Sequence, residues 1–203
     1  MPVTTTPQRR SYAPDATRQA IIDSALALFE ANGFDATSVQ SVADEADVTK
    51  GAFYHHFESK DQLVEIIHDE LLDHLLLELT RIQDTVSGPA EQLRALIRAI
   101  VETGVRYRSH VAGYYHERRY LRRDRFVAVR LKHEELLERT AAIIRAGVQD
   151  GTFRAGIDAT VVTCGIHGMA GWAHQWLHPA DAADTGRVAE ELADMVLGGL
   201  SQR

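Results

Sequence analysis

A single cysteine, Cys164, stands in 203 residues, so no intrachain disulfide is available and the chain suits a reducing compartment. No apolar run approaches the length that crosses a bilayer, and no signal-peptide pattern opens the chain. The expectation is a cytoplasmic protein with no membrane partner. Positive charge is not in excess: the net charge is −7, which argues against a generally basic nucleic-acid protein. There is no Gly-rich phosphate loop, no nucleophile elbow and no HExxH, so the usual signatures of nucleotide hydrolysis, acyl transfer and zinc proteolysis are missing. Catalytic residues are expected to be none. Strand-type alternation, internal repeats and low-complexity tracts are missing too. What remains is 45% hydrophobic content arranged at helical spacing, enough for a substantial core in one or two all-α domains.

The most informative stretch is 37–60, TSVQSVADEADVTKGAFYHHFESK. Thr37 and Gln40 have capping-box spacing, a helix start, and Val39, Val42, Ala43 and Ala46 then make one narrow apolar stripe. A tight connection follows at Asp47-Val48, and Thr49 can cap a second helix. In that helix Phe53 and Phe57 share one face, and Lys50, Gly51, Tyr54 and His55 occupy a broad opposite arc. The arc offers a cation, hydrogen-bond donors and a glycine that lets a partner approach the backbone, groups suited to phosphates and base edges. Ser59 and Gln62 form a further capping box, placing Lys60 in the first turn of the next helix. Upstream, Asp15 can cap a helix that stops at Asn32-Gly33 and buries Ile21, Ala25, Leu28 and Phe29. This outline is a helix-turn-helix. On composition and periodicity alone, a three-helix subdomain with a solvated face fits equally well. Residues 1–60 hold five Lys/Arg (Arg9, Arg10, Arg18, Lys50, Lys60) against eight Asp/Glu, so Asp44, Glu45 and Asp47 must point away from any DNA.

The residues ALALFEANGFDATSVQSVADEADVTKGAFYHHFESKDQL, with VTKGAFYHHFESK the most specific, resemble the DNA-binding domain of the tetracycline-repressor (TetR) family from Thr17 to about Leu72. The resemblance implies an all-helical, homodimeric, ligand-responsive transcription factor, most often a repressor, on double-stranded operator DNA. By the same resemblance Thr37, Ser38, Thr49, Tyr54, His55 and Lys60 correspond to DNA-backbone contacts, and Gln40, Lys50 and Gly51 to positions near bases. The domains expected are a disordered arm at 1–14, whose Arg9 and Arg10 can enter a minor groove or simply solubilise the chain, a DNA-binding domain at 15–60, and a ligand-binding and dimerisation domain at 61–203.

Beyond residue 60, helices are expected at Asp61–Val86, Ala90–Arg108, Val111–Leu121, Arg125–Gln149, Thr160–Leu177 and Thr185–Leu200. The last carries an apolar stripe of Val188, Leu192, Met195, Val196 and Gly199; the one before it holds Gly165, Gly168 and Gly171 at interior positions. Interior glycines cost about 1 kcal/mol each, which suggests close helix approach or space for something else. The family resemblance implies that these two helices pair across a two-fold axis into a four-helix bundle.

For an effector, Met169, Trp172 and Trp176 share one side of their helix, and His110, Tyr114, Tyr115 and Tyr120 crowd another segment. Stripes of this kind also serve as plain core, but the family implies a cavity and these are the bulky residues available to line it. GIHGMAGWAHQWLHP, with VQDGTFRAGID before it, resembles TetR-type regulators that sense acyl-CoA thioesters in lipid or steroid catabolism. The chain departs from them in carrying His167, Gln175 and His178 where many have arginine, whereas Arg118, Arg119, Arg122, Arg123, Arg125, Arg130 and Lys132 cluster against the single acid Asp124. The expected effector is an acyl-CoA or another lipophilic metabolite, with Arg118, Arg122 or His178 at its polar head. The alternative is a hydrophobic drug, as for a regulator of drug efflux. A helical enzyme and a protein-binding scaffold are the remaining classes. His167, His174 and His178 lie in a stripe opposite the tryptophans, which ordinary polar contacts explain as well as a metal would; no metal site and no cofactor are expected.

Overall fold

The computed structural model describes residues 14–108, 127–177 and 182–202. Eight α-helices and one short 3₁₀ turn occur among them, with no strand. The chain divides into two compact units, Met1–Leu63 and Val64–Arg203.

In the first unit, α1 (Pro14–Asn32), α2 (Val39–Glu45) and α3 (Lys50–His56) enclose a core of Ile21, Ile22, Ala25, Leu26, Phe29, Val42, Ala43, Phe53 and Phe57. Asp15, expected as a cap, lies within α1, which also includes Pro14. α1 stops at Gly33, whose φ of +79° favours glycine and whose N–H closes on Phe29 O at 3.0 Å. The start of α2 falls one residue later than the sequence suggests. Its capping box is Ser38 with Ser41, each side chain bonded to the other residue's backbone N–H at 3.0 Å. Thr37 is buried and its hydroxyl donates to Gly33 O at 2.8 Å, and Gln40 donates to Asp44 Oδ1 at 2.8 Å, so neither is free to form the Thr37–Gln40 box.

The turn between α2 and α3 is a Schellman motif. Val48 N–H bonds Ala43 O at 2.9 Å and Asp47 N–H bonds Asp44 O at 3.2 Å. Asp47 occupies its left-handed position, with φ 54°, and is the one positive-φ residue other than glycine among the described residues.

The second unit is built around α5 (Pro89–Arg106), whose apolar face of Leu93, Leu96, Ile97, Ile100 and Val101 is fully enclosed. α4 (Lys60–Thr85) starts in the first unit and continues into the second. α6 (Val127–Gln149), α7 (Ala159–Trp172) and α8 (Ala182–Leu200) complete the bundle. Ala189 and Ala193 let α8 lie close on α5, and Arg94 and Arg98 of α5 pair with Glu190 of α8. Gly147 allows Phe153 to fold back onto α6: a Cβ there would meet the Phe153 ring at 2.2 Å. α7 ends at Trp172 and passes into the 3₁₀ turn Ala173–Gln175, earlier than its periodicity suggests, because His174 turns inward and its Nδ1–H donates to Gly171 O at 2.7 Å. The segment expected as a helix at Val111–Leu121 lies outside the described residues.

Candidate nucleic-acid interface and effector cavity

α3 is a short helix fixed at both ends. Thr49 caps it, its hydroxyl accepting Ala52 N–H at 3.1 Å, and Phe53 and Phe57 anchor it in the core with ring centroids 5.6 Å apart. The Tyr54 ring stands edge-on to Phe53, centroids 5.5 Å apart, and half of the residue remains exposed. Thr49, Lys50, Gly51 and His55 are exposed beside it, and Ser38 and Gln40 are exposed on α2. A Cβ on Gly51 would meet only Thr49 Oγ1 at 3.7 Å, an ordinary contact. Nothing among the described residues therefore requires a glycine there, and Gly51 is exposed. Asp44, Glu45 and Asp47 are exposed as well.

Two residues of the expected set are engaged within the protein. Thr37 is buried, as described. Lys60 Nζ donates to Phe34 O and to Thr37 O, the latter at 2.7 Å, and lies 3.9 Å from the centroid of the Phe34 ring. Its ammonium clamps the loop that leads into α2. Ser59 caps α4 as expected, accepting Gln62 N–H at 3.1 Å, but Gln62 Oε1 reaches back to Glu58 N–H and not to Ser59. Sequence spacing passed over Ser41, the reciprocal partner of the α2 cap, and Arg18, whose guanidinium lies 5.7 Å from the Phe57 ring.

In the second unit a cavity of about 90 Å³ lies among α4, α5, α6 and α7. Leu71, Leu72, Leu75, Ile100 and Leu136 supply its apolar wall, Gly104 and Gly171 line it on two helices, and Thr103, His68, His133 and His167 add polar groups. No charged side chain lines it among the described residues. Its volume is below the several hundred Å³ of typical drug-sized pockets and suits a ring or a short branched chain.

The cavity uses the other face of α7 from the one expected. Trp172 and Trp176 are 49% and 53% exposed, and Met169 is half-buried off the cavity wall. The inward face is that of His167 and Gly171. The reason is that α7 is apolar nearly all round, so periodicity groups its residues by face without telling which face is inside. His110, Tyr114, Tyr115, Arg118, Arg122 and His178 lie outside the described residues.

His167 Nε2 sits 3.0 Å from Thr140 Oγ1, whose own hydrogen is donated to Leu136 O at 2.8 Å. Burial, and secondarily His133, lowers the His167 pKa to about 4, so the ring is neutral near pH 7. His174 is fully enclosed: Nδ1–H donates to Gly171 O, and Nε2 accepts Gln175 Nε2–H at 2.8 Å. It is a core histidine. Among the described residues, no three His, Cys, Asp or Glu side chains are placed to hold a metal ion. Of the basic run, Lys132 bonds Asp69 and Asp73 of α4, both at 2.7 Å, and Arg130 lies 3.6 Å from Glu134. Burial pulls the Lys132 pKa down, but its bonds to the two carboxylates outweigh this and the net shift is upward.

An outward apolar face runs along α7 and α8. On α7, Val161, Cys164, Gly165, Gly168 and Trp172 are exposed; on α8, Met195, Gly198 and Gly199 are exposed. Among the described residues, a Cβ added at Gly165 or Gly168 would meet nothing within 4 Å. Val188, expected on this stripe, packs into the chain's own core, and Leu192 and Val196 are half-buried between the two environments.

Residues 21–67 match the family model described as bacterial regulatory proteins of the tetR family, and residues 86–200 match the tetracyclin repressor-like C-terminal domain. The chain is 30% identical over 190 residues to the HTH-type transcriptional repressor KstR2 of Mycolicibacterium smegmatis, covering 93% of each. The solved ketosteroid transcriptional regulator KstR2 of Mycobacterium tuberculosis superimposes with a TM-score of 0.84 at 26% identity, covering 97% of this chain and 98% of that one. AibR, solved in complex with isovaleryl coenzyme A and operator DNA, superimposes with a TM-score of 0.76 at 27% identity, covering 91% and 98%. With one model on the helix-turn-helix, a second on the helical bundle and a relative aligned over nearly the whole length, the chain belongs to the TetR family of bacterial regulatory proteins.

Proposed function

We propose that the protein is a homodimeric, effector-responsive transcriptional repressor of a pseudo-palindromic operator. The observation that carries the DNA half is α3: a capped, core-anchored helix presenting Thr49, Lys50, Gly51, Tyr54 and His55 outward, with a glycine that the protein's own packing does not need. Lys50, Gly51 and Gln40 approach bases; Ser38, Thr49, Tyr54 and His55 hold phosphates. With few cations in this unit, affinity depends on two copies acting together. The exposed α7–α8 face supports that pairing, since Gly165 and Gly168 have no close neighbour among the described residues and two helices can approach closely there.

The effector occupies the cavity among α4, α5, α6 and α7. Its size and apolar wall suit the small acyl or ring portion of a lipophilic metabolite, with any coenzyme A portion extending beyond it. The isovaleryl coenzyme A complex of AibR and the ketosteroid regulator KstR2 support this class. Ligand acts by binding one arrangement of the bundle more tightly than another.

The test is titration of a complex between the protein and the DNA upstream of its own gene, followed by fluorescence anisotropy. Acyl-CoAs of several acyl sizes, the matching free acids and CoA alone are added in turn. Release or tightening by short or cyclic thioesters supports the reading. Response to neutral hydrophobic drugs alone replaces the metabolite reading with a drug-sensing one, and failure to bind any such DNA overturns the operator assignment.

A further inference from the structure

His167 brings an imidazole to the wall of a mainly apolar cavity, and the bonds around it fix which nitrogen can accept. Thr140 has one hydroxyl hydrogen, and it goes to Leu136 O. Its remaining bond, to His167 Nε2, therefore has the imidazole as donor, so the proton of the neutral ring sits on Nε2 and Nδ1 keeps a lone pair. His68 Nδ1, by contrast, is 2.9 Å from Val64 O, a backbone carbonyl. Thr103 contributes a hydroxyl to the same cavity, and no charged side chain lines it among the described residues.

These groups discriminate among ligand oxygens. A ketone or ester carbonyl accepts only, so it can use Thr103 but leaves His167 Nδ1 without a donor. An alcohol or phenol can do both, donating O–H to an imidazole nitrogen and accepting from Thr103. Resting on the reading of this cavity as the effector site, we propose that it selects an apolar ring or short branched group bearing a hydroxyl, with His167 Nδ1 as the acceptor of the ligand's O–H. Thr140 is the positioning residue: it holds the imidazole in the tautomer that accepts. Burial of the imidazole keeps it neutral and so keeps that lone pair available.

The test uses the full-length protein at pH 7.5 and four probes of similar size: benzene, cyclohexanone, cyclohexanol and phenol. Affinities are read by calorimetry, and the ¹⁵N shift of His167 Nδ1 is followed by NMR. Both alcohols should bind about tenfold or more tightly than benzene and cyclohexanone, as expected when a buried acceptor gains its donor, with an upfield Nδ1 shift on binding. His167→Leu should abolish the preference while benzene still binds. Thr140→Val, which frees the tautomer and leaves the imidazole in place, should narrow the gap between cyclohexanol and cyclohexanone, and it tests the proposal even where the leucine variant fails to fold. Cyclohexanone binding as tightly as cyclohexanol, an Nδ1 shift unchanged by phenol, or a preference that survives His167→Leu overturns the proposal. If all four probes bind alike, the hydroxyl selection falls and the cavity remains an effector site; if none binds, the effector assignment falls with it.

Discussion

Lys60 offers the sharpest separation between a residue that touches DNA and one that builds the surface doing so. Lys60→Met keeps the methylene stem and removes the ammonium. That deletes two charge-assisted hydrogen bonds, to Phe34 O and Thr37 O, and the stacking on the Phe34 ring at 3.9 Å. A hydrogen bond to a charged group contributes about 1.5–3 kcal/mol and an exposed cation–π contact about 0.5–1 kcal/mol. The side chain is only half-buried, so the low end applies and the loss should be about 2–4 kcal/mol. The loop from Gly33 to Thr37 is the part released. Because it delivers Ser38 to its capping position, amide exchange in α2 should accelerate first. A residue that instead binds a phosphate would lower the salt slope of operator binding by about one unit per contact and leave folding unchanged. Hydrogen exchange on the full chain and the slope of log affinity against log salt therefore give opposite signatures. An unaltered exchange pattern with a shallower salt slope would refute the clamp.

Three other outcomes follow from geometry already described. His167 is neutral in the fold down to about pH 4 but titrates near 6.5 when unfolded, so stability should be flat above pH 6.5 and fall by roughly 3 kcal/mol as pH drops toward 4; urea melts across this range should show a smaller decline for His167→Gln. Gly168→Leu finds open space within the chain and should leave the helical fold intact while shifting the protein to monomer, read by sedimentation; a variant that stays dimeric moves the interface elsewhere. At Asp47, with φ 54°, glycine should raise the melting stability of the DNA-binding unit by about 0.5–1 kcal/mol and valine should lower it by about 1–2 kcal/mol, provided the Schellman turn keeps its form.

The DNA-binding unit was largely legible because its determinants are local. A cap at Thr49, two phenylalanines four residues apart and a turn between two short apolar stripes lie within about twenty residues, and each works at fixed spacing. At the start of α2 two equivalent spacings compete: Thr37–Gln40 and Ser38–Ser41 both have the interval of a capping box, and only the burial of Thr37 decides between them. The cavity was harder for a different reason. Trp172 and His167 lie on opposite faces of one helix, but α7 is apolar on both faces, so the sequence points to the large aromatics as cavity lining and leaves the histidine stripe to ordinary polar contacts. The structure exposes Trp172 and puts His167 on the cavity wall. Burial at a surface shared with a second molecule leaves the same hydrophobic imprint on sequence as burial in a core.

The bare outward backbone at Gly165 and Gly168 has a further consequence for abundance. Each glycine weakens the lone helix by about 1 kcal/mol against alanine, a cost that association on this face would offset. If the two copies meet on this face, α7 is firmest when the protein is plentiful and loosens as it is diluted. The wall of the cavity at His167 and Gly171 belongs to the same helix. Cellular concentration would then set how well formed the sensor is, and a scarce regulator would respond to its effector differently from an abundant one, without any change in sequence.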